Sequence, residues 1–125
     1  MKKTINIPNA PKPVGPYSQA IIHNDLMIAS GQIAIDPNNG EIKKGSVSEE
    51  LNQILKNIDA LLKEANLKRE NILKCSIFLK NMNDFNAVNE IYASYFNEPF
   101  PARETVEVAR LPKDVNIEIS FMAAK

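Results

Sequence analysis

The fold is decided by residues 46–80, SVSEELNQILKNIDALLKEANLKRENILKCSIFLK. In the first half of this stretch, apolar residues recur at three- and four-residue steps, which places them on one face of a helix. They are Val47, Leu51, Ile54, Leu55, Ile58, Leu61, Leu62 and Ala65. Ser46 and Glu49 fit a capping box at the helix start. From Leu73 to Leu79 every second residue belongs to an apolar face, the period of a β-strand. The stretch therefore predicts a helix followed by a strand.

Upstream of this stretch, the pattern predicts a meander of short strands. Four prolines in residues 8–16 withhold amide donors and favour an extended lead-in that is not helical. Residues 17–23 and 26–35 read as two strands joined by a polar turn, which suggests a hairpin. Residues 36–40, DPNNG, favour another reversal, into a short strand near 41–43.

Downstream, residues 85–96 return to helical spacing. Asn83 or Asn81 is placed to cap this second helix, and Pro99 and Pro101 prevent its continuation, so we expect it to stop near Asn97.

Two final strands are predicted at 103–110 and 115–123, with a turn centred near Pro112 that would pair them as a hairpin. The element order β-β-β-α-β-α-β-β predicts an α+β two-layer arrangement, with two amphipathic helices covering one face of the sheet. The other face also carries apolar positions, such as Val106, and oligomerisation would cover it.

Composition narrows the class of protein. The chain has 125 residues, the usual size of one domain, and we treat residues 1–125 as a single domain. Lys plus Arg and Asp plus Glu are equal at 15 each, so a nucleic-acid partner is not expected. No apolar run approaches the length of a membrane span or an export signal, and we expect a cytoplasmic protein. The lone Cys75 cannot form an internal disulfide.

The usual catalytic machinery is absent from the sequence. There is one histidine, His23, and one cysteine, Cys75, and no HxxxH, CxxC, glycine-rich phosphate loop or GxSxG motif, so no metal site is expected. His23 lies beside a predicted turn, which favours a structural or solvated role. Cys75 lies on an apolar strand face, which favours a core residue over a nucleophile.

Two charged residues are better candidates. In residues 100–105, FPARET, the rigid Pro101 precedes Arg103, which lies at the start of a predicted strand. A guanidinium there can bind a carboxylate through two hydrogen bonds. The alternative is a surface ion pair of Arg103 with Glu104 or Glu107. Glu118 interrupts an apolar final strand, where a carboxylate either faces solvent or is held for a purpose.

The predicted hairpin would separate these two residues. It places Glu118 opposite about Glu107, and four strand residues, roughly 13 Å at about 3.3 Å per residue, lie between there and Arg103. A shared pocket would then need a bulge, a different strand pairing or two subunits. A site at a subunit interface is the economical answer.

Four separated blocks, spread over nearly the whole chain and in the same order, resemble the RidA (YjgF-like) family of reactive-intermediate deaminases. They are APKPVGPYSQA at 10–20, SGQI at 30–33, NDF with VN at 83–89, and FPAR through VEVARLPKDV to IEI at 100–119. The resemblance implies a chorismate-mutase-like α+β fold and a homotrimer in which the sheets form a central barrel. Helices would lie outside, with three clefts between subunits.

The resemblance also implies an activity, the hydrolysis of enamine/imine pairs such as 2-aminoacrylate/2-iminopropionate, and of 2-iminobutyrate, to 2-keto acids and ammonia. PLP-dependent dehydratases that act on serine or threonine make these substrates. By the family pattern Arg103 holds the substrate carboxylate and Glu118 orients or activates water. Further pocket residues by the same pattern are Tyr17, Ser30, Gly31, Asn89 and Thr105. No cofactor is implied, because the imine carbon is already electrophilic.

The sequence departs from the family pattern at two positions, and two rival functions remain open. Thr105 stands where many members have Cys, and Ser120 where many have a second Glu. A non-catalytic trimer that binds small carboxylates such as 2-ketobutyrate is the main alternative. Ribonuclease activity, also claimed within the family, has little support from zero net charge and a single histidine.

Overall fold

The structure is a computed structural model that describes residues 1–125. Two helices pack on one face of a six-stranded mixed sheet. In chain order the elements are β1 (Lys3–Ile5), β2 (Ala20–His23), β3 (Leu26–Gln32), α1 (Val47–Glu64), β4 (Ile72–Leu79), α2 (Phe85–Tyr95), β5 (Ala102–Glu107) and β6 (Ile117–Ala124). Their spatial order is β1-β2-β3-β6-β4-β5. The predicted α+β two-layer class is confirmed.

Helix α1 forms where the apolar spacing predicts it. The Ser46 hydroxyl accepts a hydrogen bond from the Glu49 backbone N–H at 3.2 Å, which satisfies one of the free donors at the helix start. The apolar face of α1 is buried against the sheet, with Leu51, Ile54 and Leu61 at 0% exposure. These residues and the inward side chains of β4 and β6 form one core.

The predicted hairpin of the last two strands is wrong. Strand β6 pairs antiparallel with both β3 and β4, whereas β5 pairs in parallel with β4 at the sheet edge. Helix α2 explains the parallel pair, because a helical crossover returns the chain to the same end of the sheet. A central place in the sheet suits β6, because it buries all of the strand's core-facing side chains. They are Ile117, Ile119, Phe121 and Ala123.

Smaller differences occur near the N-terminus. Residues 3–5, for which the sequence pattern made no prediction, form the edge strand β1, which pairs with β2. The first predicted strand is shorter than expected and starts at Ala20. The strand predicted near 41–43 reduces to one bridge between Ile35 and Ile42. Local patterns could not anticipate β1, because three residues carry little periodic signal and pair only through a distant strand.

Helix α2 is also slightly shorter than expected. A 3₁₀ turn, Met82–Asp84, precedes it, and the Asn81 side chain accepts from the Asn83 backbone N–H at 2.9 Å. The helix ends at Tyr95, two residues before the predicted stop near Asn97. Neither α1 nor α2 has the length and apolar character that a membrane-spanning helix requires.

The sheet face opposite the helices carries apolar side chains that no other element of the chain covers. Ile28, Val106 and Met122 are 49%, 40% and 37% exposed. Phe78 is half-buried on the same face, where it lies between Val106 and Glu118 in the strand register. A single chain therefore leaves this apolar face uncovered. The sequence pattern predicts that oligomerisation covers it.

A buried carboxylate fixes the entry to β6. Glu50, in the first turn of α1, is 3% exposed, and its Oε1 accepts from the Asn116 backbone N–H at 2.9 Å. The Asn116 side-chain amide donates to Oε2 of the same carboxylate. Because Asn116 directly precedes β6, Glu50 ties the helix start to the central strand.

We predict that Glu50→Ala lowers the free energy of unfolding by about 2–3 kcal/mol, because hydrogen bonds to a charged, buried group are lost and the Asn116 donors are left unpaired. Urea denaturation measures the loss. The matched control is Glu64→Ala in the exposed last turn of the same helix, which should change stability by about 0.5 kcal/mol or less. Equal effects of the two substitutions would contradict the role of Glu50.

Candidate functional site

A cavity of about 570 Å³ opens between the N-terminal segment, the end of β3 and the start of β6. Its walls bring together four of the residues singled out in the sequence: Tyr17, Ser30, Gly31 and Glu118. Residues that are far apart in the chain thus share one pocket. We call this group of four the carboxylate half-site, after Glu118.

Glu118 lies on the sheet face that points away from the helices. Its neighbours Ile117 and Ile119 point into the core, so the two-residue strand period turns Glu118 the opposite way. The side chain is half-buried, and the loss of water around it raises the pKa of its carboxyl group above the ordinary value. A carboxyl group of this kind is suited to exchange protons.

Gly31 makes room for the Glu118 side chain. A Cβ atom at position 31 would lie 2.6 Å from Glu118 Cδ, far inside van der Waals contact. The absence of a side chain at this position is therefore what lets the carboxyl group lie against the β3 backbone. The β3 to β6 register shifts between Ala29 and Gln32, which marks a bulge at the same place.

The other two members of the carboxylate half-site, Ser30 and Tyr17, differ in their hydrogen bonds and their exposure. The Ser30 hydroxyl donates to the Ser18 carbonyl oxygen at 2.6 Å, and the Ser30 backbone N–H donates to the Gln19 carbonyl at 2.8 Å. Ser30 is thus pinned to the segment that carries Tyr17. The Tyr17 side chain is 52% exposed at the cavity mouth.

Sequence reasoning missed two charged residues of the cavity wall, Lys12 and Lys113. Lys113 lines the cavity beside Glu118, with a left-handed φ of 56°. The sequence indicated only a turn here, and the resemblance blocks contained Lys113 without giving it a role.

Arg103 lies elsewhere, on β5 beside helix α2. Its Nη1 donates to the Asn89 side-chain oxygen at 2.7 Å, and its Cζ lies 4.9 Å from the centre of the Tyr92 ring. Thr105, two residues along the same strand face, has a buried hydroxyl without a hydrogen-bond partner. We call Asn89, Arg103 and Thr105 the guanidinium half-site.

No acidic side chain neutralises Arg103. Glu104 instead pairs with Lys74 at 3.0 Å, and Glu107 accepts from the Met82 backbone N–H at 2.8 Å. The alternative in which Arg103 forms a surface ion pair with Glu104 or Glu107 is therefore wrong. The guanidinium retains donors that can bind an anion.

The two half-sites are far apart within one chain. In the strand register Arg103 lies beside Cys75 of β4, whereas Glu118 lies beside Phe78. Two strand spacings of about 4.8 Å and three residues at about 3.3 Å put their Cα atoms about 14 Å apart. Arg103 also shares the helix-covered face with Cys75, and Glu118 shares the opposite face with Phe78. The strand pairing differs from the predicted hairpin, yet it does not bring the two residues together.

Cys75 and His23, which the sequence disfavoured as catalytic residues, belong to neither half-site. Cys75 is 1% exposed, and burial raises the pKa of its thiol to about 11, so it remains a thiol at neutral pH. His23 is exposed at the end of β2. No group of three or more His, Cys, Asp or Glu side chains is arranged to hold a metal ion.

Comparison with known proteins places this arrangement in a family. The family model described as Endoribonuclease L-PSP matches residues 7–125. The chain belongs to this family. It is the RidA (YjgF-like) family whose sequence blocks it resembles, so that resemblance is confirmed.

Individual relatives match over 90% or more of their own length. A RutC family protein of Pyrococcus horikoshii is 51% identical over 100% of this chain and 99% of its own. A human protein named 2-iminobutanoate/2-iminopropanoate deaminase is 44% identical over 98% of this chain and 90% of its own. The crystal structure of the E. coli YjgF gene product has a TM-score of 0.91 at 44% identity and covers 98% of each chain.

We predict that Gly31→Ala lowers the pKa of Glu118 toward its ordinary value, because the added methyl group pushes the carboxyl group out of the cavity wall into water. An NMR titration of the Glu118 carboxyl carbon against pH measures the change. Overall backbone shifts should stay close to those of the unsubstituted chain, since only a flexible side chain has to move. An unchanged Glu118 titration in a folded variant would show that Gly31 does not set its environment.

Proposed function

We propose that this protein hydrolyses reactive enamine/imine intermediates to 2-keto acids and ammonia, as a 2-iminobutanoate/2-iminopropanoate deaminase. The observation that carries the proposal is Arg103, a guanidinium held in place by neutral groups with no acidic partner. Such a group is suited to the carboxylate that every 2-imino acid carries. The name of the human relative supports the same activity.

The working site lies between two copies of the chain in this proposal. The guanidinium half-site of one copy faces the carboxylate half-site of the next, because one chain keeps them about 14 Å apart on opposite sheet faces. The uncovered apolar face gives the copies a surface to share. The family resemblance favours a homotrimer with three such clefts, acting in the cytoplasm.

The proposed chemistry divides the work between the half-sites. Arg103, with Asn89 and Thr105, anchors the substrate carboxylate and so fixes the imine carbon. With the imine nitrogen protonated, Glu118 takes a proton from a water molecule as the water oxygen bonds to that carbon, which gives a carbinolamine. The carboxyl group returns this proton to the nitrogen, and the resulting carboxylate then takes the hydroxyl proton as the carbon–nitrogen bond breaks, so that ammonia leaves and the 2-keto acid forms.

The raised pKa of Glu118 suits this exchange, because a carboxyl group with pKa nearer to neutrality both accepts and returns a proton more readily than an ordinary one. Nothing in the scheme needs a cofactor. The reactions that supply such imines are eliminations from serine or threonine by PLP-dependent dehydratases, which is the functional link we propose.

A non-catalytic sensor of 2-keto acids would need the guanidinium half-site alone. The half-buried Glu118, for which Gly31 leaves room, favours an enzyme over a sensor. Ribonuclease activity, which the family description names, has weaker support here, because the single histidine is exposed and lines neither half-site.

The test couples the protein to a serine/threonine dehydratase and follows 2-keto acid formation at early times. We predict that the unsubstituted protein accelerates the reaction and that Arg103→Ala lowers its activity at least about a hundredfold, because the charge-assisted hydrogen bonds and the alignment of substrate are both lost. Glu118→Gln, which keeps the shape but not the proton exchange, should have a similar effect.

Lys56→Ala is the control, since this exposed lysine on α1 belongs to neither half-site and should leave the rate unchanged. Near-full activity of Arg103→Ala would refute its role. Tight binding of 2-ketobutyrate without any acceleration would identify the protein as a sensor instead.

A further inference from the structure

Helix α2 presents one stripe of side chains to Arg103. Phe85, Asn89 and Tyr92 follow each other at steps of four and three residues, so they lie along the same helix face. All three contact the guanidinium region. The Asn89 oxygen is 2.7 Å from Arg103 Nη1, and the centres of the Tyr92 and Phe85 rings are 4.9 Å and 5.6 Å from Arg103 Cζ.

The Tyr92 ring is itself held in place. It is 6% exposed, and its centre lies 4.7 Å from the Phe96 ring centre at an interplanar angle of 54°. Burial raises the pKa of its phenol well above the usual range, so the ring stays neutral. A fixed, neutral aromatic ring attracts a guanidinium through its π face.

The guanidinium needs such support. Arg103 is exposed and lacks an acidic partner, and an arginine side chain loses rotamer entropy when it is held in one position. An acidic partner would hold it but would also compete with a substrate carboxylate. Aromatic rings and an amide oxygen hold the side chain without neutralising its charge.

We infer that Tyr92 is a positioning residue, which with Phe85 holds the Arg103 guanidinium in the orientation that binds a carboxylate. The inference rests on the proposed function, since it assumes that Arg103 binds the substrate carboxylate. It adds a residue outside the set that the sequence assigned to the site. Tyr92 touches Arg103, not the reacting atoms.

The first test is the affinity for 2-ketobutyrate, a stable small carboxylate, measured by calorimetry on the full-length protein. Tyr92→Leu should weaken binding about tenfold, because it removes the ring under the guanidinium. Tyr92→Phe keeps the ring and should stay within about threefold of the unsubstituted protein. Val88→Ala, a buried substitution on the same helix that is 1% exposed and faces the core, should leave affinity unchanged.

The second test measures directly how firmly the Arg103 guanidinium group is held. In ¹⁵N–¹H spectra of the guanidinium group, we expect restricted Nη rotation and ring-shifted proton resonances in the unsubstituted protein and in Tyr92→Phe. Both features should be lost in Tyr92→Leu. If Tyr92→Leu does not fold, Phe85→Leu replaces it, because Phe85 is only half-buried, and it should weaken both features and the binding of 2-ketobutyrate.

The outcomes separate this inference from the proposed function. If 2-ketobutyrate binding depends on Arg103 but Tyr92→Leu binds as well as the unsubstituted protein, or Val88→Ala weakens binding equally, the positioning role is wrong and the proposed function stands. If Arg103→Ala binds 2-ketobutyrate as well as the unsubstituted protein, Arg103 is not the carboxylate site, and both the proposed function and this inference fail.

Discussion

The burial of β6 between β3 and β4 is the constraint on which the rest of the structure depends. Its inward side chains, such as Ile119 and Phe121, are 1–2% exposed and join the α1 face to both halves of the sheet. Once this strand is central, β5 is confined to the edge beside β4. The same placement turns Glu118 away from the helices, while Arg103 on β5 stays beside α2. The fold thus separates the two charged side chains of the proposed site.

That separation gives each half-site its own support. Glu118 lies against the Gly31 backbone, where burial raises the pKa of its carboxyl group. Arg103 is held by Asn89 and aromatic rings, without a counter-charge. Neither group needs the other for its place in the monomer. In the proposed site, which two copies of the chain form together, each half-site already has its side chains in position. Association of the copies therefore needs little local rearrangement.

Local patterns predicted the local structure well. The three- and four-residue steps from Val47 to Ala65 predicted α1, whose Ser46 N-cap and apolar contacts the structure confirms, because a helix is decided by residues close in the chain. The pairing of β5 was predicted wrongly, since strand partners are chosen by burial across the whole sheet. A turn near Pro112 suits a hairpin as well as a longer connection, and the sequence contains no local signal that distinguishes them.

Only part of the site could be predicted, because its contacts also depend on how strands pair across the whole sheet. The helix at residues 85–96 was predicted, but the contact of its Phe85, Asn89 and Tyr92 with Arg103 follows only from the parallel pairing of β4 and β5. The contact of Gly31 with Glu118 depends likewise on the pairing of β3 with β6. The family resemblance supplied residue identities that periodicity could not, and the structure supplies their separation into two groups.

The central claim is that Arg103 and Glu118 act together only across two copies of the chain. The most direct test mixes Arg103→Ala and Glu118→Gln chains in equal amounts by co-refolding from denaturant and measures imine hydrolysis. In any closed cyclic assembly with random mixing, about one quarter of the interfaces join an intact Arg103 to an intact Glu118. The account predicts recovery of about a quarter of the unsubstituted activity from two inactive variants. No recovery in an assembly shown to contain both chains would contradict it.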